Sequence, residues 1–111
     1  DIIPINGPFY VGRDPSALVV NSEHNKVYIA KENWEGMVYT IAYDNEFNKI
    51  SEDTITSHGR YPTYISKNGN YIYAGNLGSG AELGGFVVYT LDNNGNIIKS
   101  AYIVFNNPVG R

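Results

Sequence analysis

The sequence predicts an all-β fold of two four-stranded antiparallel units, and three observations carry that prediction. Strand formers dominate: ten Tyr, four Phe and abundant Val and Ile, whose aromatic or branched side chains fit a pleated, half-buried surface. Turn residues recur at short, even spacing, at Asn21-Ser22, Asn45, Asn68-Gly69, Asn93-Asn94-Gly95 and Asn106-Asn107-Pro108, the rhythm of short strands joined by turns. And one phrase occurs twice. Gly12-Arg13-Asp14-Pro15-Ser16-Ala17 returns as Gly59-Arg60-Tyr61-Pro62-Thr63-Tyr64, an offset of 47 (59 − 12), and Gly110-Arg111 begins it a third time. No segment carries an apolar stripe at helical spacing over three turns.

The strands follow in order. In the first unit they are expected at residues 17–20, 26–30, 37–43 and 51–56, and in the second at 63–66, 71–75, 86–91 and 98–105. Ala17-Leu18-Val19-Val20 is apolar without alternation, as in a strand buried on both faces. Asn25-Lys26-Val27-Tyr28-Ile29-Ala30 answers to Asn70-Tyr71-Ile72-Tyr73-Ala74-Gly75, and Val38-Tyr39-Thr40-Ile41 to Val88-Tyr89-Thr90-Leu91. Asn68-Gly69 is the strongest short hairpin signal. The first unit replaces it with the longer Asn21-Ser22-Glu23-His24.

Four short antiparallel strands per repeat of this length match a β-propeller blade. An eight-strand sandwich is the competing architecture, but a sandwich needs no internal echo. Residues 1–11 precede the first phrase and take the place of an outermost strand of a preceding blade, with Pro4 and Pro8 suited to an edge. The expected division is therefore an outer strand at 1–11, one blade at 12–58 and a second at 59–111. A closed propeller needs about four blades or more. The leftover strand has no slot in a ring of two-blade units, so a piece of a longer propeller is the expectation.

Composition narrows the partners. Of the 111 residues, 42% are apolar and 17% charged, and the net charge of −3 is spread without a basic stripe. Nucleic acid is not an expected partner, because phosphate binding needs clustered Lys and Arg. The chain has no cysteine, which excludes disulfides and thiolate metal sites. No run approaches the ~18 apolar residues of a membrane helix.

The stretch Gly59-Arg60-Tyr61-Pro62-Thr63-Tyr64-Ile65-Ser66-Lys67-Asn68-Gly69-Asn70-Tyr71-Ile72-Tyr73-Ala74-Gly75-Asn76 resembles blades of the lactonase-type seven-bladed propellers. That family includes 6-phosphogluconolactonase and carboxy-cis,cis-muconate cyclase. Its blades tend to read Gly-x-x-Pro, an apolar strand, a polar turn, Tyr-x-Tyr-x-x-Asn, and later an aromatic strand ending in Asp-x-x-Gly. Here the last part is Val87-Val88-Tyr89-Thr90-Leu91-Asp92-Asn93-Asn94-Gly95. The likeness covers both repeats and is closer in the second. It implies a parent that handles lactones or carboxylated small molecules. The family's Pro-His-x-His segment has no counterpart around His24 or His58, so the chemistry can lie outside these residues.

In a propeller the ligand-face loops would be 12–15, 31–35, 58–62, 76–85 and 108–111. Arg13, Arg60 and Arg111 recur at one position and can face an anionic ligand as a ring of guanidinium groups; equally, they can bond loop carbonyls between blades. His58 and Arg60 form a candidate acid–base and anion-binding pair, against the plain reading of His58 as a solvated loop residue. Glu32 and Glu35 flank Trp34, an arrangement that suits a sugar or lactone and equally an exposed loop with one packing anchor. Asn76 closes the Tyr-x-Tyr-x-x-Asn motif and joins the ligand-binding candidates. The glycine-rich stretch from Asn76 to Gly85 lacks the Gly-Lys-Ser/Thr ending and is followed by a strand, so it is not a phosphate loop. No Gly-x-Ser-x-Gly elbow is present, Asp44, Asp53 and Asp92 lack calcium-loop spacing, and neither a metal nor a cofactor is expected.

Three functions remain in play. The chain can be part of a lactonase- or cyclase-like enzyme, inactive alone. It can be a non-catalytic module that binds a sugar, peptide or protein. Or it can be a two-blade unit that closes a ring with identical copies. In each case the outer blade faces are built to be covered, by the remaining blades of the parent or by identical copies, and left bare they invite association.

Overall fold

The computed structural model describes residues 15–32, 35–78 and 84–105. They form two four-stranded antiparallel sheets and, among the described residues, no helix. The first sheet runs β1 (Pro15–Asn21), β2 (Lys26–Lys31), β3 (Met37–Tyr43) and β4 (Lys49–Thr56) in sequence order. The second runs β5 (Pro62–Asn68), β6 (Tyr71–Asn76), β7 (Gly85–Leu91) and β8 (Ile97–Val104), again in order. All eight expected strands are present, most of them one to three residues longer at an end than expected. The outer strand expected at 1–11 lies outside the described residues.

Matching hydrogen bonds bind the two sheets to one plan. In the β3–β4 turn the Asp44 carboxylate accepts from the backbone N–H of Glu46 and of Asn48, at 2.9 and 2.8 Å. In the β7–β8 turn Asp92 accepts from Asn94 and Asn96, at 2.8 and 2.9 Å. Both turns then place a residue at positive φ, Phe47 at 66° and Gly95 at 81°. At the other end, Ser57 donates its N–H to Gly36 and Phe105 donates to Gly84, both at 2.8 Å.

These pairs set the true correspondence of the third strands at 48 (92 − 44). Lys26 pairs with Ala42 while Tyr71 pairs with Thr90, which gives the same offset. The sequence echo equated Tyr39 with Tyr89, an offset of 50. By backbone register the partner of Tyr89 is Ile41, and that of Tyr39 is Val87. The slip is two residues, so it leaves every side chain on its correct face and the sequence pattern alone does not reveal it.

The sheets stack with β5 against β1 and β2. Tyr28, Ala30 and Val38 of the first sheet share one core with Ile65, Ile72, Ala74, Val87, Tyr89 and Leu91 of the second. The packing is head to tail. Tyr28 and Ala30 correspond to Tyr73 and Gly75, which lie on the far face of the second sheet. Ile72 and Ala74 correspond to Val27 and Ile29, on the far face of the first. Each sheet thus offers its neighbour a different face.

The strand 17–20 departs from the expectation of burial on both sides. Ala17 and Val19 pack on the core, whereas Leu18 is 59% and Val20 50% exposed. Their apolar character belongs to a face that the second sheet does not cover, because that sheet packs on the opposite side.

Candidate functional site

Three loops meet at the end of the stack where β5 begins: the approach to β3, the β4–β5 connection and the exit from β6. The contact is close. A Cβ on Gly36, which has φ +67°, would come within 1.8 Å of the Gly59 carbonyl oxygen, and a Cβ on Gly59 would meet the Asn76 side chain at 2.8 Å. Ser57 is buried and its hydroxyl donates to the Gly59 carbonyl at 3.2 Å. The N–H groups of Leu77 and Gly78 donate to the carbonyls of Tyr61 and Arg60, at 3.0 and 3.1 Å. His58 and Tyr61 both adopt positive φ, 61° and 53°, a conformation that side-chain-bearing residues hold only where the surroundings impose it. The 57–61 loop is therefore a fixed corner.

Asn76 holds that corner. It is buried and donates its side-chain amide to the Ser57 carbonyl at 2.7 Å. Its carbonyl oxygen is buried without a hydrogen-bond partner. The side chain therefore links β6 to the β4–β5 loop. Lys31 occupies the corresponding place in the first sheet. It is buried, with its ammonium 4.3 Å from the centre of the Tyr39 ring, a favourable cation–π arrangement.

Above the corner lies a groove of about 290 Å³ lined, among the described residues, by Glu35, Thr56, His58, Gly59 and Arg60. It brings together three of the residues singled out in the sequence, Glu35, His58 and Arg60. Glu32 is exposed after β2 and is not among the lining residues; Glu35 supplies the carboxylate instead. Both glutamates flank the same tryptophan in sequence, and only the fold tells them apart. Arg13, Trp34 and Arg111 lie outside the described residues.

His58 also contacts the second sheet. Its ring stacks on Tyr102 with centroids 4.2 Å apart and planes at 6°, and Nε2 lies 3.2 Å from the Ser100 hydroxyl. Ser100 and Tyr102 belong to β8, so His58 bridges the end of the first sheet to the outer strand of the second. A serine at this distance from an imidazole has nucleophile–base spacing. Yet Ser100 sits mid-strand, half-buried, and no carboxylate orients the other ring nitrogen among the described residues. Nor do the described residues hold a group of His, Asp and Glu able to bind a metal ion.

The seam between the sheets is tied by further polar contacts. The Tyr28 hydroxyl donates to the Gly95 carbonyl at 2.6 Å and accepts from the Asn21 side chain at 3.1 Å. The Tyr89 hydroxyl donates to the Thr56 carbonyl at 2.7 Å. The Ser16 hydroxyl lies 3.1 Å from both the Ala30 and the Pro62 carbonyls. Burial raises the pKa of Tyr28 and of Tyr89, so both act as neutral donors. No family model, curated protein or solved structure matches the chain.

Proposed function

We propose that the two sheets are neighbouring blades of a β-propeller of the lactonase type, and that their loop-bearing end binds a small carboxylated or lactone ligand as part of a larger ring. The observation that carries this reading is the head-to-tail stack. Like sheets that repeat the same turn between third and fourth strands and the same strand order, inner strand against inner strand, are what a propeller repeats around its axis. A sandwich pairs two sheets once and has no use for equivalence between the faces it covers and the faces it leaves out.

The groove supplies the ligand chemistry. The Arg60 guanidinium can pair with a carboxylate in a planar two-bond contact, and the Glu35 carboxylate can accept from a hydroxyl. A hydroxy acid or its lactone offers both partners. The described residues assemble no nucleophile with an oriented base, so binding is the role of these two sheets and hydrolysis belongs to residues elsewhere in such a ring.

The test is a titration followed by amide chemical shifts, with gluconate and cis,cis-muconate as probes. Saturable shifts confined to residues 35–36 and 56–60, lost by about tenfold in affinity in Arg60→Ala, are expected. If neither probe perturbs this end, the ligand assignment falls.

A further inference from the structure

The open edge of the second sheet matches itself, and we propose that β8 pairs antiparallel with β8 of a second copy of this chain, joining the two sheets edge to edge. The inference uses strand order and register alone and goes beyond the ligand reading. The outermost strand of a blade lies on the circumference of a propeller, so this edge stays open in a larger ring.

Among the described residues β8 is hydrogen-bonded on one side only, to β7. Phe105 donates its N–H to the Gly84 carbonyl, one step beyond the Gly85–Val104 pair. Bonded and unbonded pairs alternate along an antiparallel ladder, so residues 99, 101, 103 and 105 bond to β7. Ser100, Tyr102 and Val104 therefore turn their N–H and carbonyl groups to the open edge. The register shift at Thr90 and Leu91 leaves Ile98 as the extra residue of a bulge, and a bulge interrupts pairing. The unbroken ladder is thus 99–105, with Tyr102 at its midpoint. The stack of His58 on Tyr102 and its contact with Ser100 hold the middle of this ladder to the first sheet.

A row of exposed strand formers at an unpaired edge is a template for another strand. Tyr102, Ile103, Val104 and Phe105 are between 41% and 55% exposed. The equivalent edge of the first sheet is blunted by charge. There β4 carries Glu52 and Asp53, both exposed, and by register Ser100 and Ala101 stand in their places on β8. Pairing β4 with its own copy would crowd these carboxylates together. The only charge on β8 is that of Lys99.

A two-fold axis through Tyr102 uses the whole ladder. Ser100 then pairs with Val104 of the second copy, Ala101 with Ile103, and Lys99 with Phe105. Each face of one sheet continues into the same face of the other. About six backbone hydrogen bonds form, and no like charges oppose. Such a contact is isologous and closes at two copies. This match of length, register and charge within one strand selects a second copy over an unrelated segment.

Sedimentation and directed cross-linking of the intact chain, which has no cysteine of its own, test the pairing. Wild type should dimerise as concentration rises. Ala101→Lys combined with Ile103→Lys sets ammonium groups opposite one another in the paired strands and should weaken dimerisation by about tenfold or more. Ala101→Glu combined with Ile103→Lys changes the same exposed positions but sets each carboxylate opposite an ammonium, and should dimerise as wild type does. Chains carrying Ala101→Cys, mixed with chains carrying Ile103→Cys, should form mixed disulfide dimers in preference to either homodimer, because an unbonded pair sits at a Cα separation of about 4.5 Å, within disulfide reach. A monomer at every concentration, the same association constant in the two charge variants, or preferential Ala101→Cys homodimers overturns the proposal. Gluconate titration of the Ala101→Lys, Ile103→Lys chain reports separately on the groove, so the ligand reading and this interface fail independently.

Discussion

Removing the Tyr28 hydroxyl should destabilise the chain far more than removing its counterpart at Tyr73. Tyr28 is fully buried, and its hydroxyl both donates to the Gly95 carbonyl and accepts from the buried Asn21 amide. Each neutral hydrogen bond contributes about 1 kcal/mol net, and a buried group left without a partner costs about 1–3 kcal/mol. Tyr28→Phe keeps the ring and its packing, so the expected loss is about 2–4 kcal/mol. At roughly 4 °C per kcal/mol for a chain of this size, the midpoint should fall by on the order of 10 °C. Tyr73 lies on the far face, and Tyr73→Phe in dilute solution should stay within about 0.5 kcal/mol of wild type. Urea unfolding followed by far-UV circular dichroism, run on both variants below the concentration of any association, reads the difference. Equal effects would refute the assignment of these faces, and a Tyr28→Phe chain as stable as wild type would refute the seam itself.

Further outcomes follow from the same geometry. Gly36→Ala places a methyl group into the Gly59 carbonyl at a backbone conformation hostile to side chains, and should cost about 3 kcal/mol or more by chemical denaturation. Asp44 and Asp92 are both held below the ordinary carboxylate range, chiefly by the backbone N–H of Asn48 and of Asn96 respectively. A lowered folded pKa means stability that is present above the unfolded value of about 3.9 and lost as pH falls through the folded values. Unfolding midpoints should therefore be level from about pH 5 to 7 and drop below about pH 4, with a shallower drop in the Asp44→Asn, Asp92→Asn double variant. His58→Ala removes the stack on Tyr102 and should lose about 1 kcal/mol by urea unfolding, with His58→Phe, which keeps a ring there, losing less.

How far the sequence carried differs between levels. Strand existence and order were legible because the strand-forming side chains and the Asn-rich turns act locally. The register of the third strands was not. Val38-Tyr39-Thr40-Ile41 and Val88-Tyr89-Thr90-Leu91 look alike, yet the Asp44 and Asp92 turns pull them two residues apart, and a two-residue slip keeps every side chain on its own face. The apolar run at 17–20 misled for a related reason, since composition reports what a strand can bury and the neighbouring sheet decides which face it does bury. At the site, the tight Gly36–Gly59–Asn76 corner depends on three loops far apart in sequence, and no motif marks it. His58 was recognisable as a loop histidine near Arg60. Its stack on Tyr102 becomes visible only when β8 is placed beside the end of β4.

The central claim is that two like sheets pack head to tail, with unlike faces meeting. Nuclear Overhauser contacts of the Tyr28 ring measure it most directly. The account predicts contacts from that ring to Gly95 and Asn21, with the His58 ring contacting Tyr102. Contacts from Tyr28 to Tyr73, joining equivalent faces as in a symmetric sandwich, would contradict it.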